Sequence, residues 1–223
     1  MGARERLAHA ALSLFEERGF EQTTVEDVAE RAGMGRTTFF RHFRSKEEAV
    51  LPDHDGLLGL VEERLRPGAE DLPDRITAAA RIVLDHYLAE GERARARYRL
   101  VSSVPAIRAR EAAGQRAYQR TFRSAIHREL GGTRQTRLEA ELVANAVVTA
   151  HNFVLRDWLR GDSDSPHSDF ERAMARATAT LRSTLADGGV EPAAIAAARR
   201  ALPVLETLLP AVRRLARHRT STS

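Results

Sequence analysis

Four cations, Arg36, Arg41, Arg44 and Lys46, lie in a stretch with no acid between residues 31 and 46. Groups of this kind can pair with phosphate oxygens, and a guanidinium fork can also make two hydrogen bonds to guanine. Arg36 and Arg41 are the candidate base readers. Thr37 and Thr38, between them, can touch thymine methyls or phosphate, and Phe40 can give apolar contact. Thr24, His42 and Lys46 are candidates for phosphates, which set position and salt dependence without reading sequence. Singly, each is an ordinary solvated side chain, so the clustering carries the argument. Bulk charge does not carry it: the chain is only +4, and residues 1–50 hold eight cations against nine acids.

The elements that must hold these groups are short helices. Thr24 can cap a helix, with Asp27 three residues on as a weaker form of the Ser/Thr-x-x-Glu box. Val25, Val28, Ala29 and Ala32 then recur at helical spacing, leaving Glu26, Glu30 and Arg31 outside. Gly33 stands where a left-handed residue ends a helix. Beyond Met34 and Gly35 a second helix turns Phe39 and Phe43 inward at i, i+4 and its polar groups outward. That is a helix-turn-helix whose second member suits a DNA major groove. Upstream, Leu7, Ala11, Leu14 and Phe15 mark a backing helix that stops at Gly19.

Leu14-Phe15, Gly19-Phe20, Thr23-Thr24-Val25, Val28-Ala29, Ala32-Gly33, Thr38-Phe39-Phe40, His42-Phe43 and Lys46-Glu47 resemble the amino-terminal domain of TetR-family transcriptional regulators. The resemblance covers about the first 50 residues with order and spacing kept. Gly35 replaces a commoner Ser at the start of the recognition helix, Thr37 a frequent Gly, and Arg41 a frequent aromatic. Phe40 stands where the family often has a phosphate-touching Tyr. These departures concern which operator is read. The resemblance implies a homodimer on a near-palindromic duplex, with the helices at about 136–160 and 169–187 forming a four-helix interface.

The rest of the chain reads as helical. Ser45-Lys46-Glu47-Glu48 looks like a helix start, interrupted at Pro52, where a kink is expected, and restarted at Asp53-His54-Asp55. Adjacent residues on a helix diverge, so Asp-His-Asp is a poor metal set. Further helices are expected at about 73–90, 93–102, 105–130, 136–159 and 170–186. Within 136–159, Asn145, Thr149, Asn152 and Arg156 form a polar line on an apolar helix. They either meet an effector's polar end, with Tyr98, Tyr118 and Phe122 around its apolar part, or satisfy helix–helix or dimer hydrogen bonds. Val143, Val147, Val154 and Trp158, mostly on another face, are assigned to the core or the dimer seam. The run Arg95-Ala-Arg-Tyr-Arg-Leu-Val-Ser-Ser-Val-Pro-Ala-Ile-Arg-Ala-Arg110 is similar to the carboxy-terminal domain of mycofactocin-system regulators, a likeness that covers roughly residues 55–187. That likeness implies an apolar or amphipathic effector, acyl-CoA-like ligands included.

Composition bounds the class. Alanine, leucine, arginine and glutamate dominate and no strand alternation persists, which makes the fold class all-α: a three-helix DNA-binding domain at 1–46, a helical-bundle ligand and dimerisation domain at 47–188, and a basic extension at 189–223. With no cysteine there are no disulfides or thiolate zinc sites. No nucleophile elbow, His-Glu-x-x-His, P-loop or dinucleotide fingerprint appears, so neither catalysis nor a cofactor is expected. No run of 18 apolar residues exists, and a cytoplasmic protein without a membrane partner is expected. Within the extension, residues 199–219 carry Arg199, Arg200, Arg213, Arg214, Arg217 and Arg219 against one acid, Glu206. Either a helix packed on the domain or its dimer mate with a solvated face, or a contact to DNA or an acidic partner, fits that pattern.

Overall fold

The computed structural model describes residues 1–187, and every regular element among them is helical. The extension at 189–223 lies outside the described residues. Two units divide the chain, Met1–Ala179 and Thr180–Ser223, and the helix-turn-helix belongs to the first.

The head consists of α1 (Ala3–Arg18), α2 (Val25–Arg31) and α3 (Arg36–His42). α1 stops at Gly19, whose φ of 85° only glycine adopts without strain, and Phe20 then folds edge-on against Phe15 at 5.0 Å. Thr24 caps α2 in both directions: its hydroxyl accepts from the Asp27 N–H at 3.1 Å, and the Asp27 carboxylate accepts from the Thr24 N–H at 2.8 Å. α2 closes in a Schellman arrangement, with Met34 N–H bonded to Ala29 O at 2.8 Å and Gly33 N–H to Glu30 O at 2.9 Å. Gly33 has φ 68° there. Phe39 and Phe43 are buried with ring centroids 5.6 Å apart, among Leu7, Leu14, Phe15 and Val28. The same core takes in Ala49 and Val50 and borrows Leu100 and Ile107 from the body, so head and body share apolar packing.

The link to the body departs from a kinked helix. Glu48–Val50 is a single 3-10 turn, the chain is extended at Leu51, and α4 (His54–Arg64) begins afresh with Asp53 as its cap. Proline disfavours a helical conformation in the residue before it, so Pro52 breaks the element rather than bending it. Ser45 caps nothing, for its hydroxyl has no partner.

The body is α4, α5 (Leu72–Glu90), α6 (Glu92–Ser103), α7 (Pro105–Glu129), α8 (Arg134–Arg160) and α9 (Pro166–Ala177), with α10 (Ala179–Asp187) leading into the second unit. α7 packs on α8, α8 on α9, and α4 on α5 and α7. On α5, Ile76, Ala79, Ala80, Val83, Leu84 and Tyr87 recur at helical spacing and are all buried. Buried Arg75 donates to the carbonyls of Leu65, Arg66 and Glu70 and pairs with Glu129, satisfying carbonyls that the end of α4 leaves open. The helix expected at 170–186 is two, interrupted at Thr178, whose hydroxyl donates back to Met174 O at 2.9 Å. Such back-bonding bends or ends helices. Val143, Val147 and Val154 belong to the protomer core. The seam-like face of α8 is another one, where Leu138, Leu142 and Phe153 are 66%, 61% and 58% exposed.

Candidate DNA interface and effector cavity

On α3 the inward phenylalanines leave Arg36, Thr37, Phe40 and Arg41 exposed, with Thr38 and His42 half-buried. Arg36 is held from two sides: its guanidinium pairs with Glu26 of α2 and lies 5.4 Å from the centroid of the Phe40 ring. Phe40 in turn stands edge-on to Phe39 at 5.5 Å. Arg4 of α1 braces the far end of α3. It donates to His42 O at 3.1 Å, lies 4.8 Å from the Phe43 centroid and sits 3.6 Å from the Asp53 carboxylate.

Lys46 is already occupied. Its ammonium donates to Phe20 O at 2.7 Å and Thr23 O at 3.1 Å, and lies 4.1 Å from the Phe20 ring centroid. It clips the chain after α3 to the loop between α1 and α2, leaving one N–H for a phosphate. Thr24 is exposed at the start of α2 with its hydroxyl engaged by Asp27.

The body holds two adjoining hollows. An inner one, about 40 Å³, lies among α4, α5, α7 and α8, and Tyr118, Phe122 and Asn152 line it together with His54, Glu111 and His151. An outer cleft of about 320 Å³ is lined by Tyr98 and Arg156 with Arg97, Arg108 and Arg160. Tyr87, Glu111, Gln115, Asn152 and Leu155 border both, so they form the partition between an apolar chamber and a cationic vestibule.

The polar line on α8 therefore divides. Asn152 faces the partition, with its amide 3.4 Å from Gln115 Oε1, and Arg156 faces the outer cleft. Asn145 and Thr149 line neither hollow. Asn145 accepts from Gln119 at 2.7 Å and donates to Glu141 O at 2.8 Å, and both residues are exposed on the face that carries Leu142 and Phe153.

The polar heart of the inner hollow is Glu111. Burial pushes its carboxyl up, but the His54 hydrogen bond and charge, the Arg97 charge and the Tyr87 hydrogen bond together hold it below its ordinary value. Ionised, it can only accept: Oε2 is 3.1 Å from His54 Nε2 and Oε1 3.2 Å from Tyr87 Oη. His54 Nδ1 lies 3.3 Å from Tyr118 Oη, within hydrogen-bond reach of that hydroxyl. Burial, reinforced by Glu111, pushes the hydroxyls of Tyr87 and Tyr118 up, so both stay protonated donors. No sequence motif singles out Glu111, Gln115 or His151, and His54 stands in the sequence only within the Asp-His-Asp set. Gly114, a glycine midway along a 25-residue helix, was the signal available: a Cβ there would stand 2.8 Å from the His54 ring.

A helix-turn-helix head on a helical body with an effector-sized cleft is the architecture of a one-component transcriptional regulator. Residues 7–51 match the model for bacterial regulatory proteins of the tetR family, and residues 70–186 match the MftR C-terminal domain. The chain belongs to the TetR family, a family of transcriptional regulators rather than enzymes. It is 40% identical over 85 residues to the HTH-type transcriptional regulator TcmR of Streptomyces glaucescens, a match spanning 36% of this chain and only 37% of TcmR. It is 26% identical over 166 residues to a Mycobacterium tuberculosis protein named as the mycofactocin biosynthesis transcriptional regulator MftR, covering 71% of this chain and 81% of that one. Among solved structures, the SmeT–triclosan complex superposes with a TM-score of 0.56 at 20% identity, covering 81% of this chain and 91% of SmeT; this likeness is one of fold. SmeT is the repressor of the Stenotrophomonas maltophilia multidrug efflux pump SmeDEF.

Proposed function

We propose that this chain is a ligand-responsive transcriptional repressor that acts in the cytoplasm as a homodimer on a near-palindromic operator. The observation that supports it best is α3: two phenyl rings inward, Arg36 and Arg41 outward, and no carboxylate on the helix itself. Two such helices would enter successive major grooves about 34–36 Å apart. Arg36 and Arg41 would read bases, Thr37 and Thr38 thymine methyls or phosphate, and Phe40 would pack on the backbone. Thr24, His42 and the remaining N–H of Lys46 would serve phosphates. The α8 face with Leu138, Leu142 and Phe153 would pair with a second copy, Asn145 and Thr149 supplying polar contacts within it.

The effector would occupy the two hollows. An apolar part would lie among Tyr118, Phe122 and their neighbours, and a polar or anionic part among Arg108, Arg156 and Arg160, with Tyr98 and Asn152 alongside. An acyl-CoA-like compound would put its phosphates in the outer cleft. To cause release, the effector must bind the DNA-incompetent form more tightly than the operator-bound one.

The reading is tested by a footprint on DNA flanking the chain's own gene and by salt-dependent binding to the duplex so found. Arg41→Ala should abolish the specific complex, whereas Asn152→Ala should leave it intact. Retention of specific binding by Arg41→Ala overturns the assignment. The second reading, an activator or constitutive architectural binder, requires that no ligand of the body alters DNA affinity.

A further inference from the structure

The inner hollow, at about 40 Å³, is far smaller than pockets for drug-sized ligands, which run to roughly 300–1,000 Å³. A ligand reaching it must displace a wall residue, and His54 is the wall residue supplied by α4. Its ring occupies a seat cut for it: a methyl group on Gly114 would be 2.8 Å from the ring, and Glu111, Gly114 and Tyr118 follow one another along one face of α7. Glycine is a poor helix former, so its presence here is explained by the ring it admits.

Unseating His54 has a chemical cost. Glu111 Oε2 would lose its donor while still buried, and a buried carboxylate left short of partners is strongly unfavourable. A bare hydrocarbon end cannot replace that donor, and a carboxylate there would add like charge.

We propose that the effector carries a hydrogen-bond donor, a hydroxyl, amide N–H or ammonium, that takes the place of the His54 imidazole beside Glu111, and that His54 is the positioning residue this exchange unseats. The inference rests on the effector reading above and narrows it. Displacement would be felt in the head through consecutive contacts: Asp53, next to His54, pairs with Arg4, and Arg4 holds the carbonyl of His42 at the end of α3.

The test uses the full chain, a duplex selected from a random-sequence pool, and three probes of equal chain length below their micellar range: decylamine, 1-decanol and decanoate. The amine and the alcohol should bind by calorimetry and weaken duplex affinity by roughly 5–150-fold; decanoate should do neither. The ratio of amine to alcohol tells whether a cation or a neutral donor is preferred. Glu111→Gln should erase the preference for the amine over decanoate. Gly114→Ala should weaken duplex binding with no probe present, and His54→Ala in the same chain should remove that effect, because no ring remains to clash. Equal binding of all three probes, binding of none, or independent effects of Gly114→Ala and His54→Ala overturns the proposal. A wild-type chain that selects no duplex refutes the DNA reading instead, and calorimetry still scores the donor rule.

Discussion

His151 is buried on α8 with Nδ1 3.2 Å from Asn152 Oδ1 and Nε2 without a partner among the described residues. Burial depresses its value below the ordinary 6.5, against a smaller opposing effect of the Asn152 hydrogen bond. The sign follows directly. Between the depressed value and 6.5 only the unfolded chain binds the proton, so stability is full above 6.5 and falls as pH drops below it. The slope is about 1.4 kcal/mol per pH unit for one such group. Denaturation midpoints measured from pH 7.5 to 5 should show the decline. His151→Gln should flatten part of it; His86, also depressed by burial, supplies another part. An unchanged profile in His151→Gln would remove this account. At this scale the sequence revealed which side chains stand outside α3, because helical spacing decides that. It did not reveal Glu26 beside Arg36 or Glu111 beside His54, since both pairs are made between helices.

The three short helices of the head depend on their ends and on one aromatic pair. Phe39 is fully buried, and Phe39→Ala should cost about 3–5 kcal/mol, read as an earlier denaturant midpoint and loss of DNA binding. Gly33→Ala meets nothing within 4 Å, so its penalty is purely conformational at φ 68°, about 1–2 kcal/mol. A substitution with no measurable effect at Gly33 would mean that the turn between α2 and α3 relaxes freely. Helices were legible wherever apolar spacing and glycine stops agreed, as at Gly19 and Gly33. Two elements depart from the expected helices for local reasons: Pro52 holds Leu51 out of the helical conformation, and the Thr178 hydroxyl bonds back to Met174 O, while the apolar pattern runs on through both.

For the whole molecule, the exposed face of α8 is the proposed pairing face. Leu142→Glu with Phe153→Glu should leave helical content intact, since both side chains are outside the protomer core, but yield monomers by sedimentation and weaken binding to a two-half-site duplex. Persistence of the dimer would move the interface elsewhere. The sequence announced the two-part architecture through its opening motif and offered Tyr118, Phe122 and Asn152 of the inner hollow, but not the walls that α4 and α5 add to α7 and α8. Lys46 has a last consequence, for measurement. It is the only lysine in the 223 residues, and two of its three N–H groups are given to backbone carbonyls. Amine-directed cross-linkers would join two copies poorly however tightly they pair, and carboxylate-directed reagents would be the fairer gauge of association. Acetylation reaching that single side chain would strip the clip behind the recognition helix without touching any other lysine, because there is none.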